Sequence, residues 1–312
     1  MAENADDRLF PVERVKRTRS PLRLRRSTDA TIELREFGEW TLEKLKVLEL
    51  YLKQYRRVAG NGTYIDGFAG QGSVAVAGQI TDEKGSVRIA LEAGAFKELW
   101  LFEIKQDLMA DLRKNLSYHY PAKKLRRVHL VEGDFNTKIV QLLDQEVIPR
   151  TKPCFAFLDP NSTQLRWGTV ERLARFKEPA DPPRVCKIEL WLLFNSHQAF
   201  GRLIDRKGRP GYATSPEAAT LDRVMGSRDV WWPLFQRNAH INAYAHRYAA
   251  RLREDLGYGF AVPQLIKDPA TGRPQYFMIH ASDHPAAFDF MRWAKKTSCY
   301  FDNTEPFPGF DS

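Results

Sequence analysis

Residues 63–74 read Thr-Tyr-Ile-Asp-Gly-Phe-Ala-Gly-Gln-Gly-Ser-Val, TYIDGFAGQGSV. A short apolar run ends on a carboxylate, Asp66, and two glycines one residue apart, Gly70 and Gly72, follow it at once. Glycine accepts the left-handed backbone angles of a tight turn and lets another group approach the main chain closely. The stretch therefore predicts a buried strand that ends in a ligand-facing turn.

Working outward, helical and strand patterns alternate. Upstream, residues 38–58 place Trp40, Leu45, Leu48 and Leu52 at three- and four-residue spacing, an amphipathic helix with a basic end. Downstream, residues 86–94 read as a helix capped by Ser86 and closed by Gly94, and residues 98–104 (ELWLFEI) as a second buried strand. The helical KQDLMADLRKNLSY leads to a third strand, RRVHLVEGD, which ends at Asp134. The helix FNTKIVQLLDQEV leads to a fourth, CFAFLDP. After the helix WGTVERLARF comes a long apolar strand over residues 185–196, then a basic segment read as irregular to residue 236. A helix from Asn238, two strands joined by the proline- and glycine-rich KDPATGRP, and the helix HPAAFDFMRWAKK complete the pattern. The expected fold is α/β and Rossmann-like: a mainly parallel seven-stranded sheet with a C-terminal antiparallel hairpin. The expected organisation is a flexible basic arm over residues 1–30, one domain over 31–300 with 196–236 as a substrate- or partner-facing insertion, and a tail over 301–312.

Charge bears on partners. The formal net charge is +9, and Arg14 to Arg26 carries seven basic residues and no acid. This balance points to a polyanion, nucleic acid foremost, contacted by Arg17, Arg19, Arg23, Arg25 and Arg26 of the arm and by Arg202, Arg206 and Arg209 of the insertion. A protein partner is the other expectation. No apolar run approaches membrane-spanning length, and residues 1–10 lack the apolar stretch of a signal peptide, so a cytoplasmic chain without a membrane partner is expected. Cys154, Cys186 and Cys299 are far apart and odd in number, which suggests reduced thiols rather than a disulfide framework or a zinc knuckle. The histidines are isolated or poorly spaced for metal binding, so no metal is expected.

Open α/β sheets bind ligands beyond the carboxyl ends of their strands. Asp66, Glu103, Asp134 and Asp159 fall at four successive strand ends. A dinucleotide site would need its glycine motif to open a helix directly, whereas Gly72 leads into a long loop. No Gly-Lys-Ser/Thr of a nucleotide-phosphate loop is present, nor a Gly-x-Ser-x-Gly elbow. The pattern suits S-adenosylmethionine (SAM). Phe68, Ala69, Gly70 and Gly72 form a turn whose amides can approach the methionine part, with Asp66 organising the turn and facing its cationic end. Glu103 can accept both ribose hydroxyls, Asp134 can accept from the adenine amino group, and Phe135 can contact the ring.

DGFAGQG, the Gly85-Ser86 pair, LFEIKQD, EGD and FLDP, in this order, resemble class I SAM-dependent methyltransferases. More closely, the chain resembles the three-Cys-motif partner protein family, TcmP, through TLEKLKVLELYLKQY with its Lys44 and through LDRVMGSRDVWWPLF. The resemblance spans residues 38–296 and implies SAM as cofactor and methyl transfer as activity. It places Asp159 and Pro160 at the acceptor-binding motif that follows the fourth strand. That motif reads Asp-Pro-Asn-Ser here, without the second proline and aromatic residue of base-amine methyltransferases. Two functions are thus carried forward: a SAM-dependent methyltransferase acting on nucleic acid, and a SAM-binding or catalytically degenerate subunit supporting a partner protein.

Overall fold

Strand β1, Gly62–Asp66, is buried along its whole length in the computed structural model, which describes residues 22–25, 31–34, 36–37, 39–76, 83–177, 186–204, 210–268 and 271–298. Of the arginines expected to meet nucleic acid, Arg17, Arg19, Arg26, Arg206 and Arg209 lie outside the described residues, as does Cys299. The chain continues through β2 (Phe96–Glu103), β3 (Val128–Glu132), β4 (Cys154–Leu158), β5 (Glu189–Phe194), β6 (Phe260–Lys267) and β7 (Pro274–Ser282).

These seven form one sheet in the order β6-β7-β5-β4-β1-β2-β3. β1 to β5 pair in parallel, and β7 runs antiparallel to both β5 and β6. This is the Rossmann-like class I methyltransferase arrangement, with its hairpin at the C-terminal edge. The chain builds β1, β2 and β3 toward one edge and then returns to lay β4 on the other side of β1. The point where strand order reverses is therefore the gap between β1 and β4, where such sheets open a ligand crevice.

Both faces of the sheet are covered, which explains why the central strands read as apolar runs rather than alternating ones. On one face Tyr64, Leu99, Leu101, Phe155 and Phe157 pack with helices α1 (Glu39–Ala59), α2 (Ser86–Ala93) and α3 (Gln106–His119). On the other, Ile65, Phe102, Ala156 and Leu158 pack with α4 (Phe135–Asp144) and α5 (Trp167–Arg175). Adjacent residues of one strand thus go to opposite layers, as the period of a strand requires.

Two expectations are corrected. The segment after β5 is not irregular: a π-helical turn, Ser196–Phe200, is followed by helices α6 (Pro216–Met225) and α7 (Arg228–Gln236). Ala218, Leu221, Met225 and Trp231 of these helices are buried in the second core, and the Trp231 indole donates to Asp222 at 2.7 Å. The apolar spacing within LDRVM is short, and only tertiary packing reveals it as a buried helix face. β5 itself covers Glu189–Phe194 rather than 185–196, because Asn195 turns out of the sheet and caps the π-helical turn through Ala199 N–H. Nearer the start of the chain, Leu22–Arg25 pairs antiparallel with Thr31–Leu34, so the backbone of Arg23 and Arg25 lies in a strand. The helices α8 (Ile241–Glu254) and α9 (Pro285–Ser298) complete the two layers, α9 lying beside α1.

Candidate cofactor crevice and acceptor rim

The turn after β1 is held from several directions at once. Asp66 is fully buried, and its carboxylate accepts from the Ser86 hydroxyl at 2.6 Å, from Phe68 N–H at 3.2 Å and from the Tyr64 hydroxyl at 3.2 Å. Burial pushes its carboxyl up to about 7, against the hydrogen bonds from Ser86 and Phe68 that pull it down. Ser86 is accordingly not the helix cap that its position suggested. Gly85 occupies the N-cap of α2 with extended backbone angles, and its own N–H donates to Gly72 O at 3.1 Å. A methyl group on Gly85 would sit 2.8 Å from the Gly72 carbonyl, so the approach of α2 to the turn demands glycine.

Within the turn, Gly70 and Gly72 both take positive φ, +56° and +75°. Around Gly72 the space is filled by Leu112 of α3, whereas beside Gly70 it is open. Gln71 is tied to α3 twice, by its amide to Asp111 at 3.2 Å and by its carbonyl to Asn115 at 3.0 Å. Glu103 ends β2 directly opposite: one carboxylate oxygen accepts from Gly70 N–H at 3.1 Å, the other from Lys105 N–H at 2.9 Å. Each oxygen keeps further acceptor capacity, which is what a pair of vicinal hydroxyls would use.

Asp134 and Phe135 stand one strand further out. Asp134 caps α4, accepting from Asn136 N–H at 3.2 Å, and its second oxygen lies 3.3 Å from the Arg166 guanidinium. The Phe135 ring is buried against Phe102 (5.0 Å between centroids) and against the half-buried Phe68 (5.6 Å). The structure thus brings Phe68, Gly70, Glu103, Asp134 and Phe135 to one end of the sheet, on one side of the β1–β4 switch point.

On the other side lies Asp159, just past β4. The sequence did not reveal its partner. The Lys44 ammonium, on α1 and nearly shut off from solvent, pairs directly with the Asp159 carboxylate and lies 5.6 Å from the centre of the Tyr276 ring. The Tyr276 hydroxyl is shielded and without a hydrogen-bond partner among the described residues. Burial raises it well above its usual value and pushes the neighbouring Glu43 up to about 7. The resemblance singled out Lys44, but its pairing with Asp159, 115 residues away, and the closeness of Tyr276 and Glu43 appear only in the fold. Beyond Asp159, Asn161 N–H donates to Gln164 and Asn161 O accepts from Asn195 at 3.4 Å, which ties the Asp-Pro-Asn-Ser turn to the end of β5. Pro160 and Phe194 border a cavity of only about 20 Å³ there, about the room one water needs.

Arg228, another arginine of the insertion, is engaged within it: its guanidinium forms a fork with Asp222 at 2.7 and 2.8 Å and lies over Trp231 and Trp232. Cys154 is buried, its thiol pushed up to about 12, and Cys186 is exposed. Among the described residues no cluster of His, Cys, Asp and Glu could hold a metal ion, and no helix is long and apolar enough to cross a membrane.

The strand order is that of the Rossmann-like class I methyltransferase fold. No protein-family profile and no curated protein matches the chain. Among solved structures it is similar to protein LPL1258 from Legionella pneumophila, of the family DUF519, at 10% identity with a TM-score of 0.51, over 85% of this chain and 93% of that one. It is also similar to the methyltransferase domain of the bacterial protein CtHen1-C (10% identity, TM-score 0.42, 77% of this chain and 98% of that one). A third likeness is to M. jannaschii TYW2 in complex with AdoMet (12% identity, TM-score 0.36, 84% and 86%). At 10% identity the likeness to LPL1258 bears on the fold alone.

Proposed function

We propose that the chain is a SAM-dependent methyltransferase of the TcmP-like type, acting on nucleic acid. The observation that carries this reading is the pairing of Glu103 with the Gly70 amide across the end of the sheet, beside open space at Gly70. A carboxylate held in place by the turn, with acceptor capacity left on both oxygens, suits the ribose hydroxyls of SAM; the amides near Gly70 and Gly72 suit its methionine part. Asp66, fully buried, acts by setting the turn. Phe68, less covered than Phe135, is the ring better placed for the adenine, and Asp134 is the acceptor for its amino group.

When bound, SAM supplies a methyl group activated by its sulfonium charge. Asp159 and Pro160, across the switch point, would bind and orient the acceptor through the side-chain carboxylate and the proline carbonyl. Lys44 fixes the carboxylate's orientation, so that one oxygen is committed to the ammonium and the other is offered to an acceptor N–H or O–H. The net charge of +9 supports a polyanionic substrate.

The second reading, a SAM-binding subunit without turnover of its own, is favoured by two facts: the Asp-Pro-Asn-Ser turn lacks a stacking aromatic, and the cavity beside Pro160 is small. One experiment separates the two. Purified protein and its Asp159→Asn variant are incubated with methyl-labelled SAM and, separately, RNA, DNA and protein. The proposal expects label in nucleic acid, reduced ~10²–10⁴-fold in the variant with SAM affinity nearly unchanged. SAM binding with no label transferred to any acceptor would favour the subunit reading.

A further inference from the structure

At the opposite end of the sheet from Glu103 and Asp159, the amino ends of β4 and β5 and the helices α1 and α9 enclose a second cavity, of about 250 Å³. Its apolar wall includes the rings of Tyr51, Tyr55 and Phe290. Lys177, Glu189 and His284 add charge and hydrogen-bonding capacity. Lys187 also lines it and pairs with Asp283 at 3.7 Å, while Lys177 and Glu189 are served very differently. Glu189 is satisfied by protein: it accepts from the Tyr51 hydroxyl, from Ser282 Oγ at 3.2 Å, and lies 2.8 Å from His280 Nε2. Lys177 is only 4% exposed, and its ammonium donates at 2.6 Å to the carbonyl oxygen of Lys152, a neutral acceptor. Burial lowers its pKa, outweighing the opposite pull of Cys154, Cys186 and the Asp283 carboxylate. His284 Nδ1, likewise shielded, has no hydrogen-bond partner among the described residues.

An aromatic wall, a buried cation whose hydrogen bond goes to a neutral oxygen, and a ring nitrogen without a partner among the described residues meet in one cavity. We propose that it is a second ligand site, separate from the methyl-transfer crevice, for a small aromatic carboxylate. The ring would pack among Tyr51, Tyr55 and Phe290, and the carboxylate would accept from Lys177 Nζ and His284 Nδ1–H. A monoanion fits better than a phosphate dianion, because Glu189 lines the same space and repels a second negative charge. The volume lies just below the usual range of ligand pockets and suits one or two fused rings.

The test titrates indole-3-carboxylate, and neutral indole beside it, into the full chain by calorimetry, with and without saturating SAM. The expected result is one site for the acid with Kd below ~1 mM, unaffected by SAM, and weaker binding of indole. Lys177→Met should weaken the acid about tenfold or more while leaving indole unchanged, and Ala287→Phe, which fills the cavity, should abolish both. No binding of the acid by folded wild-type protein would overturn the proposal, as would equal affinity for acid and indole or displacement by SAM. Should Lys177→Met fail to fold, the acid-against-indole comparison in the wild type decides.

Discussion

Replacing Lys44 with methionine keeps the length of the side chain along α1 but removes the ammonium that pairs with Asp159. Lys44 is 4% exposed, so its charge is held almost wholly within protein, whereas the Asp159 side chain is 25% exposed and can recover part of its hydration. Breaking a fully buried pair from one side costs about 3–5 kcal/mol, and exposed pairs contribute about 0–1 kcal/mol. The intermediate exposure of Asp159 places the expected loss at about 1–3 kcal/mol. The same loss should shrink when both charges go, because Lys44→Met combined with Asp159→Asn leaves no unpaired ion. Urea unfolding of the wild type, both single variants and the double variant, all at pH 7, gives the coupling energy directly. A coupling of about 1 kcal/mol or more is expected. Additivity within about 0.5 kcal/mol would refute the reasoning, since it would mean that the two side chains do not share an interaction.

The pH dependence of stability should carry the mark of Asp66. Its folded carboxyl titrates at about 7 against an ordinary value of 3.8, so between those pH values the folded chain holds a proton that the unfolded chain has released. This contribution is fully present below about pH 4 and is lost as pH rises to about 7, by at most ~4 kcal/mol. Asp66→Asn should flatten that part of the stability curve in denaturant titrations run from pH 4 to pH 7, and an unchanged slope would refute it. The two turn glycines should separate stability from binding. Gly72→Ala, with φ +75° and a methyl 2.7 Å from Leu112, should lose about 1–3 kcal/mol of stability. Gly70→Ala, with φ +56° but open space beside it, should lose about 1–2 kcal/mol and show its main effect as weaker SAM binding. Melting and calorimetry on both variants check this, and equal effects on both properties would contradict it.

What the sequence made legible was local. The strand-to-turn reading of TYIDGFAGQG was available because five buried residues end on a carboxylate followed by glycines, and Gly70 and Gly72 do take left-handed angles. The carboxylates at successive strand ends were likewise readable, because each sits where an apolar run stops. The illegible parts depend on packing between distant segments. Ser86 was read as a cap from its place before a helix, yet its hydroxyl is drawn 20 residues back to Asp66 by the burial of that carboxylate. Asp159 could be placed by its motif, but not its partner Lys44, because nothing in either segment records the contact. The helices of the insertion were missed for a related reason: their apolar faces are too short to show a period, and burial of Leu221, Met225 and Trp231 against the second core stabilises them.

The central claim is that the crevice headed by Gly70 and Glu103 holds SAM, and calorimetric titration of SAM into the full chain tests it most directly. One site per chain with a Kd in the micromolar range is expected, weakened about tenfold or more by Glu103→Ala through loss of the ribose acceptor. Undetectable binding by well-folded wild-type protein would contradict it.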